Sequence, residues 1–250
     1  MSVYKYLSSD VFKYIFENNT LRFSSPLDFN DPFELKPHIK EIIDTEKDMV
    51  VNIVSSFLNE TQQAHKFYDN IIDSLSKDIG ILCLSGTNAN LVMWGHYANN
   101  HKGIVVEFDK NHSFFSNSTE LELLHKLKQV IYADTRPTVS SDEWYSEKIF
   151  LTKSKYWKYE DEYRMSILLD KFDNSDKKYN IKFPPKIIKS IYIGCKTSIK
   201  DIEYIKNLKT QEKWKHIKIN QFKVDEKEYK LVLSKVILKN THQSLGNKYV

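Results

Sequence analysis

The chain has 250 residues, of which 41% are hydrophobic and 28% charged, with 6 Gly, 6 Pro and a net charge of +4. This excludes collagenous and disordered classes and allows one large or two small domains with a sizeable core. No run of 18 apolar residues occurs, so a transmembrane helix is rejected, and two cysteines cannot make a disulfide framework or a zinc site.

The opening Met-Ser-Val-Tyr-Lys-Tyr lacks a basic region followed by an apolar one, so a signal peptide is rejected and a cytoplasmic location is expected. Val3–Tyr6 reads as a strand, a helix capped by Ser8 or Ser9 follows through Glu17, and Asn18-Asn19 end it. Thr20–Ser24 is a second strand, and Pro26–Glu34 a turn-rich loop. The amphipathic stretch 45–78 predicts a helical insertion of two helices.

Ile79–Ser85 is a buried strand, Leu91–Ala98 a short helix, and Gly103–Phe108 another strand. Residues 110–130 read as a loop and a helix, Val130–Ala133 as a strand, and Ser141–Lys158 as a helix. Glu160–Leu168 alternates as a strand, which would put Glu160, Glu162 and Arg164 on one face. Ile187–Gly194 is a strand, Ile199–Leu208 a helix, and 217–238 a hairpin turning near Asp225-Glu226. Short strands alternating with helices predict an α+β chain, taken as one domain over residues 1–250. The glycine-rich phosphate loops are absent.

Residues 181–250 hold 16 Lys, no Arg and 6 acids, so this stretch is +10 and residues 1–180 are −6. The basic C-terminal part is either a solvated lysine surface or a face for nucleic acid or an acidic protein. Eight scattered histidines do not have metal-ligand spacing, and no metal site is expected. Asp28, Asp31, Glu34 and Lys36 form a weak match to the acid-and-lysine set of a metal-dependent nuclease.

Polar and aromatic residues cluster in three segments: Tyr4-Lys5-Tyr6 with Arg22 and Phe29–Glu34, Ser85 with Met93–Ala98, and Lys155–Arg164. In order, Y-K-Y, R-F-S-x-P-x-x-F-N-D-P-F-E, C-L-S with M-W-G-H-Y-A, G-I-V-V-E-F and W-K-Y-E-D-E-Y-R resemble a bacterial family catalogued as a domain of unknown function, over about residues 3–195. The layout in turn resembles the ADP-ribosyltransferase fold of poly-ADP-ribose polymerases and nucleic-acid-modifying toxins. That resemblance implies a split mixed β-sheet flanked by helices and NAD as co-substrate. It also implies a nucleic-acid or protein acceptor and a toxin or antiphage role with an antitoxin partner; the lack of a long apolar run leads us to expect no membrane partner.

Carried over by position, Lys5 or Tyr6 stands where that family has a histidine, Tyr97 where it has its tyrosine, and Glu162 or Glu160 where it has the catalytic glutamate. Lys5, Tyr6, Arg22, Asn30, Ser85, Trp94 and Arg164 are the expected cofactor-binding residues. Such a site cleaves the nicotinamide–ribose bond through an oxocarbenium-like state that a carboxylate stabilises. A non-catalytic module that binds nucleic acid or protein on the same fold is the alternative.

Overall fold

A computed structural model describes residues 1–39, 69–70, 73–74, 79–116, 126–140, 146–169 and 179–234. In chain order the elements are β1 (Ser2–Leu7), α1 (Ser9–Asn18), β2 (Thr20–Arg22), β3 (His38–Ile39), β4 (Ile79–Ser85), α2 (Leu91–Tyr97), β5 (Ile104–Asp109), β6 (Lys128–Gln129) and β7 (Ile131–Ala133). There follow β8 (Thr138–Val139), α3 (Glu147–Leu151), β9 (Thr152–Ser154), β10 (Glu162–Leu168), β11 (Asn180–Lys182), β12 (Ile188–Ile193), α4 (Ile199–Leu208), β13 (Lys218–Val224) and β14 (Leu231–Ser234).

Eight strands form one mixed sheet in the order β14-β13-β12-β5-β1-β4-β10-β6, in which only β12 and β13 run parallel. Alternation in β1 sends Val3 and Leu7 to one face and Tyr4 and Tyr6 to the other. The first face carries the main core. There Phe12, Ile15 and Phe16 of α1, Ile205 and Leu208 of α4, and Trp214 pack on Val3, Leu7, Leu84, Val106, Ile167 and Ile191. The helical spacing of the three α1 residues makes that stripe, and Asn19 ends the helix at φ 54°, returning its N–H to the Ile15 carbonyl.

The opposite face holds two separate apolar clusters. In one, Trp94 and Met93 of α2 lie over Tyr6, Val105, Tyr192 and Phe222. In the other, Leu35, Val139, Ile149 and Phe150 cover Ile79 and Ile81. A polar gap lies between them.

The gap exists because β1 and β4 pair at a single position, Tyr4 opposite Ser85, whereas β1 pairs with β5 along its whole length. Beyond that rung the two strands part, and the chain at Ser24 bridges β4 at Ile81 in place of β1. The Lys5 ammonium fills the fork by donating to the Cys83 carbonyl at 3.0 Å. A buried carbonyl with no partner would cost on the order of 1–3 kcal/mol.

Several expectations change. The helix expected over Ser141–Lys158 covers Glu147–Leu151; residues 141–145 lie outside the described ones, and Lys155–Glu160 is a 3-10 turn after β9. Extended backbone at Thr152–Ser154 is needed because it pairs in parallel with β7 and turns Lys153 inward. Glu160 therefore belongs to the turn, and only Glu162 and Arg164 share a strand face. In 110–130 the described helical piece is a 3-10 turn at Ser113–Phe115, with 117–125 outside the described residues. The insertion at 45–78 lies almost wholly outside them, residues 69–70 and 73–74 being helical. The hairpin turns at 225–230, where Asp225 accepts from the Lys227 and Glu228 amides; residues 235–238 of the expected span lie outside the description. Both cysteines are free. Among the described residues, no helix is long and apolar enough to cross a membrane.

Candidate functional site

The polar gap is a cleft of about 360 Å³ whose walls include Tyr4, Lys5, Tyr6, Asn30, Ser85 and Tyr97, with Lys153, Glu160 and Glu162 at one end. Side chains from both sides of the β1–β4 fork thus meet in one space.

The acidic end is an ion network. Lys153 Nζ lies 2.6 Å from Glu160 Oε2, 2.9 Å from Glu162 Oε2 and 3.8 Å from Glu34 Oε2. Arg164 grips Glu162 through Nε at 2.8 Å and Nη2 at 3.0 Å, and gives Nη1 to Glu34 at 2.7 Å and to the Phe150 carbonyl. All five side chains are at least nine-tenths buried. Three carboxylates thus touch two cations, and a third cation, Lys5, acts on Glu162 at longer range.

Charge in such surroundings is set by partners rather than by water. Burial alone would raise the Glu162 carboxyl, but the Arg164 guanidinium and the Lys153 ammonium outweigh it and hold the group at about 2. Burial likewise disfavours the Lys153 charge, yet Glu162, Glu160 and Glu34 push its pKa well above the ordinary value. Lys5 moves the other way: burial lowers it, and Cys83 and Glu162 only partly compensate.

Tyr97 completes this end of the cleft. Its hydroxyl donates to Glu160 Oε1 at 2.6 Å, and burial together with that hydrogen bond raises its pKa, while a hydrogen bond with Asn30 opposes the shift. The geometry is fixed from outside. Asn90 caps α2 by accepting from the Val92 and Met93 amides, and its Nδ2 donates to the Tyr159 carbonyl, tying the helix to the 155–160 turn. Ser85 Oγ donates to the Glu160 carbonyl at 2.6 Å. Asp161, at φ 44°, turns the chain sharply between the two glutamates, and Tyr132 OH accepts from the Glu162 amide.

Of the expected residues, the structure brings Lys5, Tyr6, Asn30, Ser85, Tyr97, Glu160 and Glu162 to this cleft. It does not bring Arg22, which is exposed and paired with Asp28 at 2.7 Å. Trp94 is fully buried, with its ring edge-to-face on Tyr6 and its Nε1–H given to the Asn88 carbonyl; it is core beneath the cleft. Arg164 is buried behind Glu162 and reaches the cleft only through it. Tyr6 gives its hydroxyl to the Thr87 carbonyl, so it lines the wall without a free polar end.

The acids of the nuclease set are engaged by other partners: Asp28, in the cleft lining, pairs with Arg22, Asp31 Oδ1 accepts from the Phe33 amide, and Glu34 is held by Arg164. Among the described residues, no group of three or more His, Cys, Asp or Glu side chains is placed to hold a metal. Sequence reasoning missed Lys153 and the place of Glu34 in the ion network. A lone lysine reads as surface, and its three carboxylates come from distant parts of the chain or from across a turn.

A family model described as a protein of unknown function (DUF2971) matches residues 93–165. That span includes Tyr97, Lys153, Glu160, Glu162 and Arg164, whereas Lys5, Tyr6 and Asn30 lie outside it. No curated protein and no solved structure matches the chain.

Proposed function

We propose that the cleft binds NAD, breaks its nicotinamide–ribose bond and passes ADP-ribose to a nucleic-acid or protein acceptor. The supporting observation is that Tyr97, Glu160 and Glu162, singled out as the tyrosine and glutamate of such an enzyme, stand together in one cleft with both carboxylates on Lys153. Its volume of about 360 Å³ falls in the range usual for small-molecule sites.

In this reading the C1–N bond breaks, its electron pair leaves with neutral nicotinamide, and the ribose carbon becomes an oxocarbenium-like cation. A nucleophile of the acceptor supplies the electron pair of the new C1 bond and loses its proton. Glu162, kept anionic by Arg164 and Lys153, faces the developing positive charge without a proton to lose. Glu160 is in contact with one cation rather than two, so it is the carboxylate placed to exchange hydrogen bonds with a ribose hydroxyl or the acceptor. Tyr97 and the donors Lys5 and Asn30 complete the lining. The division of the sheet at the β1–β4 fork supports an ADP-ribosyltransferase-like arrangement of that sheet.

Purified protein incubated with NAD is expected to release nicotinamide, with Glu160→Gln and Glu162→Gln each lowering the rate at least about a hundredfold. No release with any lysate or nucleic-acid acceptor refutes the enzyme. The toxin or antiphage role goes with it: expression should arrest growth, and Glu160→Gln should restore it. A second reading, a cleft that binds without turnover, is favoured by the saturation of Glu162, whose two oxygens take three hydrogen bonds from Arg164 and Lys153. It predicts NAD binding by calorimetry with no nicotinamide released.

A further inference from the structure

The turn Lys155–Glu160 reads Lys-Tyr-Trp-Lys-Tyr-Glu, and only its last residue belongs to the ion network. Of its rings, Tyr156 is 81% exposed, while Trp157 and Tyr159 are half-buried. Rings alternating with lysines beside the acidic end of a cleft offer flat faces next to positive charge.

The rings also lead somewhere. Trp157 and Tyr159 have centroids 6.0 Å apart, Tyr159 and His96 6.1 Å, and His96 and Tyr97 6.0 Å. This arc runs from the exposed turn to the tyrosine bound to Glu160. Trp157 is fixed from beneath, because Lys153 Nζ sits 4.9 Å from its ring centre. Cations flank the rings along the turn: Lys155, paired with Asp134, and Lys158, which is exposed and has no ion pair among the described residues.

We infer that this turn is a stacking platform for single-stranded nucleic acid, which it feeds along the arc toward Tyr97 and Glu160. Aromatic faces accept any unstacked base, and lysines interspersed with them meet the phosphates of the same strand. A duplex keeps its bases stacked on each other and offers these rings nothing to cover. Alternation of ring and cation, rather than an unbroken apolar patch, favours a strand over a protein partner. The inference rests on the proposed function only in naming its acceptor; binding to the platform needs no NAD, so the two fail separately.

The test is fluorescence anisotropy of the full chain, without NAD, against labelled strands about 12 nucleotides long, as DNA, as RNA and as the DNA duplex. Either single strand should bind at least about tenfold tighter than the duplex. Tyr156→Ala should weaken single-strand binding about five- to a hundredfold, and Tyr156→Phe should leave it within about twofold. Because Tyr156 is 81% exposed, its variants fold like the parent, and an unchanged melting temperature checks this. A tighter RNA or DNA arm identifies the acceptor's sugar. Equal affinity for duplex and single strand, no binding, or a Tyr156→Ala variant that binds as well as the parent overturns the inference.

Discussion

Lys153→Met tests the network from its centre. The substitution removes the ammonium that contacts Glu34, Glu160 and Glu162 and fills much of the same space with an apolar chain. Arg164 still serves Glu162 and Glu34, but among the described residues Glu160 keeps only the Tyr97 hydroxyl. Removing one partner of a buried ion pair costs about 3–5 kcal/mol, because the other charge remains desolvated. The variant limits the loss by taking a proton onto a carboxylate, so a value near 3 kcal/mol is expected around neutral pH. For a chain of this length that is a fall of about 6–12 °C in melting temperature. In the variant the stranded carboxyl has a folded-state pKa above its unfolded value of about 4.3, so the folded state binds the extra proton and the deficit shrinks as pH falls through the raised value. Thermal melts of parent and variant at about pH 8 and about pH 5.5 measure both effects. A variant within about 2 °C of the parent at both values, or a deficit that stays constant with pH, refutes the account of the network.

Glu160→Gln removes one of three carboxylates that share two contacting cations, and its amide oxygen can still accept from Lys153. Its melting temperature should therefore stay within about 3 °C of the parent or rise, while nicotinamide release collapses; a large fall in stability with activity intact would make Glu160 structural. Glu162, held at about 2, stabilises the folded state above its unfolded pKa of about 4.3 by about 3 kcal/mol, and this contribution disappears as pH falls from about 4 to 2. Acid titration followed by circular dichroism should thus show parent and Glu162→Gln converging in stability below about pH 3, and a constant difference down to there counts against the depressed value. A Cβ added at Gly103 would lie 2.0 Å from the Leu7 carbonyl oxygen, so Gly103→Ala must push β1 from β5 and should lower the melting temperature by at least about 4 °C.

The elements that sequence placed well are those whose signals are local. Ser198 caps α4 by accepting from the Asp201 amide, the stripe of α1 repeats at helical spacing, and the alternation of Glu162–Leu168 matches a real strand. The segment 152–160 was illegible because its conformation answers to distant demands: Lys153 must reach Glu34, and Thr152–Ser154 must pair with β7. An amphipathic helix pattern and a strand followed by a 3-10 turn present similar ring spacings there. At the site, Tyr97 and the two glutamates stand out as polar groups at element ends, whereas Trp94, expected at the cofactor, has a fully buried ring. Aromatic residues on a short helix look alike in sequence whether they face a cleft or a core. Arg22 looks like an anion-binding residue in sequence for a related reason, because its partner Asp28 sits on the following turn.

The lone rung between Tyr4 and Ser85 divides the working groups into two sets with separate foundations. Lys5 and Tyr6 stand on the five-strand side, and Glu160, Glu162 and Lys153 are anchored to the three-strand side. Side-chain ties cross between the sets: Lys5 to the Cys83 carbonyl, Tyr6 to the Thr87 carbonyl, Tyr97 to Glu160 and Asn90 to the Tyr159 carbonyl. Spreading or narrowing that seam by a fraction of an ångström alters the spacing across the mouth while leaving the ladders within each half intact. An occupant of the cleft would meet these polar contacts from both sides, and its own hydroxyls or phosphates are chemically equipped to replace them.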